Sequence, residues 1–182
     1  MVVHNGGYPT VMTASGPERM PRFSPSPGAV VTSYTDLAEL AARILAKVVE
    51  VYARNGIDLP DRRYIALGTP AQDCEQVTVA FQQLYIGPPG DEASQPQRCE
   101  APRSAVFEVT ITRCIPVVDD RNRAPQPADI SAASAVLMRD AWLLLDSVPD
   151  MDDYLGVIAT VEASEAQGGL QSVVMTLTLA VP

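Results

Sequence analysis

One histidine, one lysine, one tryptophan and three cysteines are all that this 182-residue chain holds of those residues, and each scarcity removes a class of function. The lone histidine, His4, falls in a stretch rich in proline and glycine. No Ser-His-Asp or Cys-His pair then has geometric support, and hydrolase chemistry lacks its base. A thiol enzyme built on Cys74 or Cys114 is set aside for the same reason. Cys74, Cys99 and Cys114 are odd in number and lack the close CxxC spacing of a zinc site, so reduced thiols are expected. No run approaches the ~20 apolar residues of a membrane span, and no basic region followed by an apolar run marks a secretion signal. The expectation is a protein made in the cytoplasm with no membrane partner.

Positive charge is also in short supply. Thirteen basic residues, of which only Lys47 is a lysine, face twenty-two acidic ones, for a net charge of −9. Residues 1 to 60 are balanced, and the whole acidic excess sits beyond them. Such a surface repels phosphate and excludes tight nucleic-acid binding through a basic patch. The stretch "YIGPPGDEASQ" has glycines after a strand but neither GxGxxG nor GxxxxGK[ST], so it reads as a loop and not as a phosphate cradle. Asp119 with Asp120, and Asp150 with Asp152 and Asp153, do not follow the calcium pattern D-x-[DN]-x-[DN]-G and read as solvated loop charge. Catalytic, cofactor-binding and metal residues are all expected to be absent, and the protein is expected not to be an enzyme.

What is present is a globular balance, with 47% hydrophobic and 19% charged residues. Residues 1–33 carry prolines and glycines without periodicity and read as an irregular arm, leaving residues 34–182 as a single domain. From Thr35, a candidate cap, Leu37, Leu40, Ala41, Ile44, Leu45, Val48 and Tyr52 recur at helical spacing until Asn55 and Gly56. Arg63 to Leu67 reads as a short strand. Glu75 to Ile86 and Ser104 to Ile115 read as longer ones, with a polar seventeen-residue loop between them. A second helix starts at Asp129 and carries Ile130, Ala133, Leu137, Met138, Ala141, Trp142, Leu144, Leu145 and Val148 up to Pro149. It is the more hydrophobic helix, and Trp142 is expected to lie buried against the sheet. Gly156 to Ala163 then pairs with Leu170 to Val181, where Gly168 and Gly169 turn the chain.

That order, α-β-β-β-α-β-β, predicts an α+β fold: a mostly antiparallel five-stranded sheet with both helices packed on one face. Matching the apolar faces of the two long strands fixes their register. Val77 falls opposite Ile111, Val79 opposite Val109 and Phe81 opposite Phe107, while Thr78 meets Thr110 and Gln76 meets Thr112 on the other side. The same register sets Cys74 opposite Cys114, within reach of a cross-strand bridge or a joint metal contact; two buried thiols are the more ordinary outcome. The second sheet face gathers Gln76, Thr78, Gln82, Thr110, Thr112, Thr160, Ser172, Thr176 and Thr178. Threonine and glutamine suit a face that packs on another protein chain, or a plain β-favouring solvent face.

The successive segments "RRYIALGTPAQDCEQVTVAFQQLYIG", "PQRCEAPRSAVFEVTITRCIPV", "RDAWLLLDSV" and "GVIATVEASEAQGGLQSVVMTLTLAV" together resemble the tail-terminator proteins of long-tailed phages that infect actinobacteria. The resemblance covers about residues 60 to 182. It implies a structural virion protein of the neck, a small α+β subunit assembled in the host cytoplasm into a homo-oligomeric ring, in this family a hexamer. That ring would sit on the head-proximal end of the tail tube, stop its polymerisation and provide the surface on which the filled head docks. Implied partners are further copies of the chain, the tail tube protein and a head-side connector or stopper protein, with DNA passing through the lumen without specific binding. An acidic excess suits such a lumen, because like charge lets the genome slide. On this reading the subunit-interface candidates are Arg103, Thr110, Thr112, Arg113, Asp119, Asp120, Arg121, Thr176 and Thr178. A head-side connector or stopper of the same neck region is the alternative.

Overall fold

The structure, a computed structural model, describes residues 36–90, 102–149 and 157–181. The first helix, α1 (Leu37–Arg54), begins where Asp36 turns its carboxylate onto the backbone N–H groups of Ala38 and Glu39, at 2.9 and 3.2 Å. Two orphan donors of the first turn are thereby satisfied, and the negative charge sits at the positive end of the helix dipole. Asp36, one residue beyond the expected Thr35, is the cap. Leu40, Ala41, Ile44, Val48, Val51 and Tyr52 form the buried stripe, and Asn55 with Gly56 ends the helix.

Five strands follow in one sheet: β1 (Arg62–Leu67), β2 (Gln76–Ile86), β3 (Arg103–Cys114), β4 (Val157–Ala163) and β5 (Leu170–Val181), with α2 (Pro127–Asp146) between β3 and β4. Their spatial order is β1-β2-β3-β5-β4. The fold is α+β in the expected element order. The β2–β3 register matches the expected pairing from Gln76 opposite Thr112 through Phe81 opposite Phe107. Beyond Phe81 the register shifts by one residue, so that Gln83 faces Val106. The extra residue, Gln82, reaches across to Glu108 with a 2.7 Å hydrogen bond.

The sheet is mixed, since β1 runs parallel to β2 while the other three pairs are antiparallel. An eight-residue crossover, 68–75, makes this possible: the carbonyl of Ala71 accepts bonds from Gln76 Nε2 (2.8 Å) and Tyr64 Oη (3.1 Å). At the other edge, β4 turns into β5 through Gly168 and Gly169, both with positive φ (59° and 83°), between the mutually bonded Gln167 and Leu170. Two consecutive left-handed residues are what a tight hairpin turn demands, and glycine adopts them without a Cβ penalty.

Both helices cover the same sheet face. α1 and α2 close over Val77, Val79, Ala105, Phe107, Val109, Ile111, Val173, Met175, Leu177 and Leu179, all fully or nearly fully buried. Phe81 and Phe107 meet edge to face there, with ring centroids 5.6 Å apart. The threonine face is not open either. Gln76, Thr78, Thr110, Thr112 and Ser172 are all buried within the single chain, and Thr112 shares a 2.8 Å bond with Ser172. The Thr78 hydroxyl is buried without a hydrogen-bond partner among the described residues. This face opens at Gln82 on β2, at Val106 and Glu108 on β3 and toward β4, with Thr176 and Thr178 half-buried and Thr160 exposed.

Two expectations need correction. Trp142 is not buried against the sheet; it is 70% exposed. On α2 the core face is made by Leu137, Asp140, Leu143 and Leu144, whereas Ile130, Met138, Trp142 and Leu145 point to solvent. α2 also begins earlier than Asp129, at Pro127, whose missing N–H costs nothing in the first turn. The second correction concerns the thiols. Cys74 and Cys114, paired as the register requires, are joined as a disulfide at the sheet rim and not held as two buried thiols; Cys74 is half-buried and Cys114 exposed. The N-terminal arm of residues 1–33, Cys99 and the acidic segment at 150–153 lie outside the described residues.

Candidate functional site

Two features stand out once the fold is in place, one polar and inside, the other apolar and outside. The inner one is built on strand parity. Residues 109, 111 and 113 of β3 all face the helices, so the strand that buries Val109 and Ile111 also turns the Arg113 guanidinium under α2. There Asp140, fully buried among the leucines of α2, meets it twice, at 2.9 Å from Nε to Oδ2 and 3.3 Å from Nη2 to Oδ1. Tyr52 on α1 donates its hydroxyl to Asp140 Oδ1 at 2.9 Å. Glu75, just before β2, takes Arg113 Nη1 at 2.8 Å, and the Asp58 carbonyl accepts from Nη2 at 3.4 Å. One guanidinium thus ties α2, β3, the β1–β2 crossover and the turn after α1, while the Tyr52 hydroxyl brings in α1.

The electrostatics follow from that enclosure. Burial, and then the Asp140 carboxylate, push the Tyr52 phenol well above its ordinary range, so it stays a neutral donor. Arg113 loses solvation, yet its bonds to Asp140 and Glu75 outweigh that loss and hold it protonated more firmly than an exposed arginine. A bidentate pair with four of the five guanidinium N–H donors matched is stable here, but either member alone would be a stranded buried charge. At neutral pH the Tyr52 phenol and the Arg113 guanidinium both keep their protons. The cluster's chemistry is that of a rivet.

The helical spacing places Tyr52 only as a core residue of α1 and passes over Asp140, although Asp140 leaves a trace. Asp140 lies three residues after Leu137 and four before Leu144, a charge placed in the middle of the buried stripe. Arg113 continues the alternation of Val109 and Ile111 onto the core face. A carboxylate and a guanidinium, each on an inward face, call for one another.

The nine interface candidates do not form one patch. Thr110, Thr112, Thr176 and Thr178 share the polar sheet face, and the first two are closed off within the chain. Arg113 lies on the opposite face, committed to Asp140 and Glu75. Arg103 opens β3 at the far end, exposed, opposite Ile86 and Val181. Asp119, Asp120 and Arg121 form an exposed turn after β3. There Asp119 accepts from the backbone N–H groups of Arg121 and Arg123, both at 2.9 Å, and from Arg123 Nε at 2.8 Å. The Arg123 guanidinium, with those backbone bonds, draws the Asp119 carboxyl below its usual range. This is an exposed, hydrogen-bonded loop tip with charge on show.

The outer feature is the solvent side of α2. Met138 is 72% exposed and Trp142 70%, with Ile130 and Leu145 also open. At 3.6 residues per turn these four side chains occupy roughly a third of the helix circumference, next to the core-facing arc. Met138, Trp142 and Leu145 are neighbours within one apolar stripe, and Ile130 lies about two turns away on the same side, beyond Ser134. Leu67 on β1 and Val117 and Val118 after β3 add further exposed apolar side chains. No described helix is long and apolar enough to cross a membrane. No family model matches the chain, and no curated protein does either.

Proposed function

We propose that the chain is a structural ring subunit of the neck of a long-tailed phage, acting as the tail terminator that caps the head-proximal end of the tail tube. The observation that carries this reading is the outer stripe of α2. The chain's one tryptophan and one of its six methionines stand open side by side on one helix face that a subunit living alone would have made polar. A repeated surface of this kind, covered by the next copy, is how a closed homo-oligomer hides apolar residues. The riveted Tyr52–Asp140–Arg113–Glu75 cluster supports the same reading, because a subunit in a force-bearing joint gains from helices that cannot slide on their sheet. The chain's acidic balance favours a surface that does not hold DNA.

The test adds the purified protein to polymerising tail tube subunits and measures tube length by electron microscopy. Short tubes with a ring at one end are expected. Tubes of unaltered length, with the protein bound to head-side connectors, would overturn the terminator role in favour of a connector or stopper.

A further inference from the structure

Cys74 and Cys114 are 40 residues apart in sequence, with Cα atoms 5.3 Å apart across the β2–β3 pairing. The motif logic that looks for CxxC misses such a pair, because the end of the crossover before β2 and the end of β3, and not one loop, supply the spacing. Between them sits Glu75, held in a left-handed backbone conformation (φ 55°). Its Oε2 is taken by Arg113 and its Oε1 approaches the backbone N–H of Cys114 at 3.4 Å. The two sulfurs and a Glu75 carboxylate oxygen all lie within 4.8 Å of one another.

We propose that, when the Cys74–Cys114 disulfide is reduced, these three side chains bind one zinc ion through two thiolates and one carboxylate oxygen. Reduction takes two electrons and two protons from an external dithiol, which leaves as a disulfide, and the two new thiols then give up their protons to solvent as the metal binds. Thiolate ligands select zinc over calcium or magnesium. Three protein ligands leave the fourth tetrahedral position to water, and Cys114 at the exposed rim gives the ion its way in. The Arg113 guanidinium, 2.8 Å from Glu75 Oε2, orients the carboxylate, as an outer partner of a metal ligand does. Two thiolates and a carboxylate carry three negative charges, which the zinc ion and Arg113 together balance. Exchange of the two thiolates with an external disulfide, which takes their two electrons and leaves as a dithiol, re-forms the Cys74–Cys114 bond and expels the metal. The site is therefore occupied in one redox state and closed in the other, and the proposal stands independently of the ring assignment.

The experiment uses the full chain with Cys99 replaced, Cys99→Ala, so that no third thiol contributes. The protein is reduced with a phosphine without oxygen, stripped of metal and titrated with cobalt(II) as a spectroscopic substitute for zinc. Expected is a sulfur-to-cobalt charge-transfer band that saturates at one ion per chain, is abolished by added zinc, and is absent from the oxidised protein. Cys74→Ser or Cys114→Ser should each remove the band. Glu75→Gln should keep it while weakening the affinity about tenfold or more, since losing even an outer partner of a ligand costs about 10- to 100-fold. A reduced protein that gives no charge-transfer band, or one whose band is unchanged by Cys74→Ser, overturns the site. So does unaltered cobalt affinity in Glu75→Gln, which removes the carboxylate from the ligand set.

Discussion

The two helices lie on the same sheet face and yet end their packing in opposite ways. α1 buries Leu40, Ile44, Val48, Val51 and Tyr52, packs Leu37, Leu45 and Val49 partly buried against the core, and shows solvent alanines and charges: Ala38, Ala42, Ala46, Ala53, and the ion pairs Glu39–Arg43 and Lys47–Glu50. α2 buries three leucines around a charged centre and leaves Ile130, Met138, Trp142 and Leu145 outside. α1 is finished by its own chain. α2 has more apolar surface than one sheet can cover, and the surplus lies together on one side. The comparison teaches that a helix which puts its single buried charge toward the core and its tryptophan toward water is shaped for two neighbours, one within the subunit and one beyond it.

The largest expected effect strikes the inner side of α2. Asp140→Ala leaves Arg113 buried against nothing, and denaturant melts should show a loss of about 3 to 5 kcal/mol. A loss below about 1 kcal/mol would mean that the rivet holds nothing. On α1, Ile44→Ala should cost about 2 to 5 kcal/mol in the same melts, as an ordinary core truncation does.

Tyr52→Phe sharpens the boundary between the helices. It removes one bond to a charged acceptor and should cost about 1.5 to 3 kcal/mol at neutral pH. The Tyr52 phenol is raised in the folded state by burial and Asp140, so its contribution is fully present below the unfolded tyrosine value of about 10 and is lost as pH climbs above it. Wild-type stability should therefore fall from about pH 10 upward, and Tyr52→Phe should flatten part of that fall. An identical alkaline slope in both proteins would show that Tyr52 is not the group responsible.

The smallest effect on the subunit is expected on the outer side. Trp142→Ala should change the stability of the monomer by no more than about 0.5 kcal/mol, the value of a surface position. A loss near 3 kcal/mol in dilute monomer would return Trp142 to the core.

Much of this was legible in the residues, for reasons that differ by element. The β2–β3 register followed from matching Val77, Val79 and Phe81 to Ile111, Val109 and Phe107, because a slip of one residue would turn each apolar side chain to the wrong face. That register also placed Cys74 beside Cys114. The direction of β1 was not legible, since six residues with Arg62 and Arg63 at their start carry no pattern that separates a parallel from an antiparallel neighbour. Trp142 was misplaced because periodicity counts apolar residues around the helix without knowing how wide an arc the sheet covers. Leu137, Leu144 and Trp142 all fit a 3.6-residue repeat, and only packing divides them. Asp140 was passed over as one polar residue in an apolar helix, when its partner Arg113 lay on another element.

The account rests on the outer stripe of α2 as the surface that another copy covers, and one measurement addresses it most directly. Met138→Glu combined with Trp142→Glu places two carboxylates on that stripe, away from the Asp140 cluster and the core. Sedimentation velocity of the wild type and the double variant, with circular dichroism to confirm that both are folded, reads the outcome. The account predicts a closed oligomer for the wild type and a folded monomer for the variant, since desolvating two charges at each repeated contact costs several kcal/mol per ion. A double variant that sediments as the same oligomer as the wild type would contradict it.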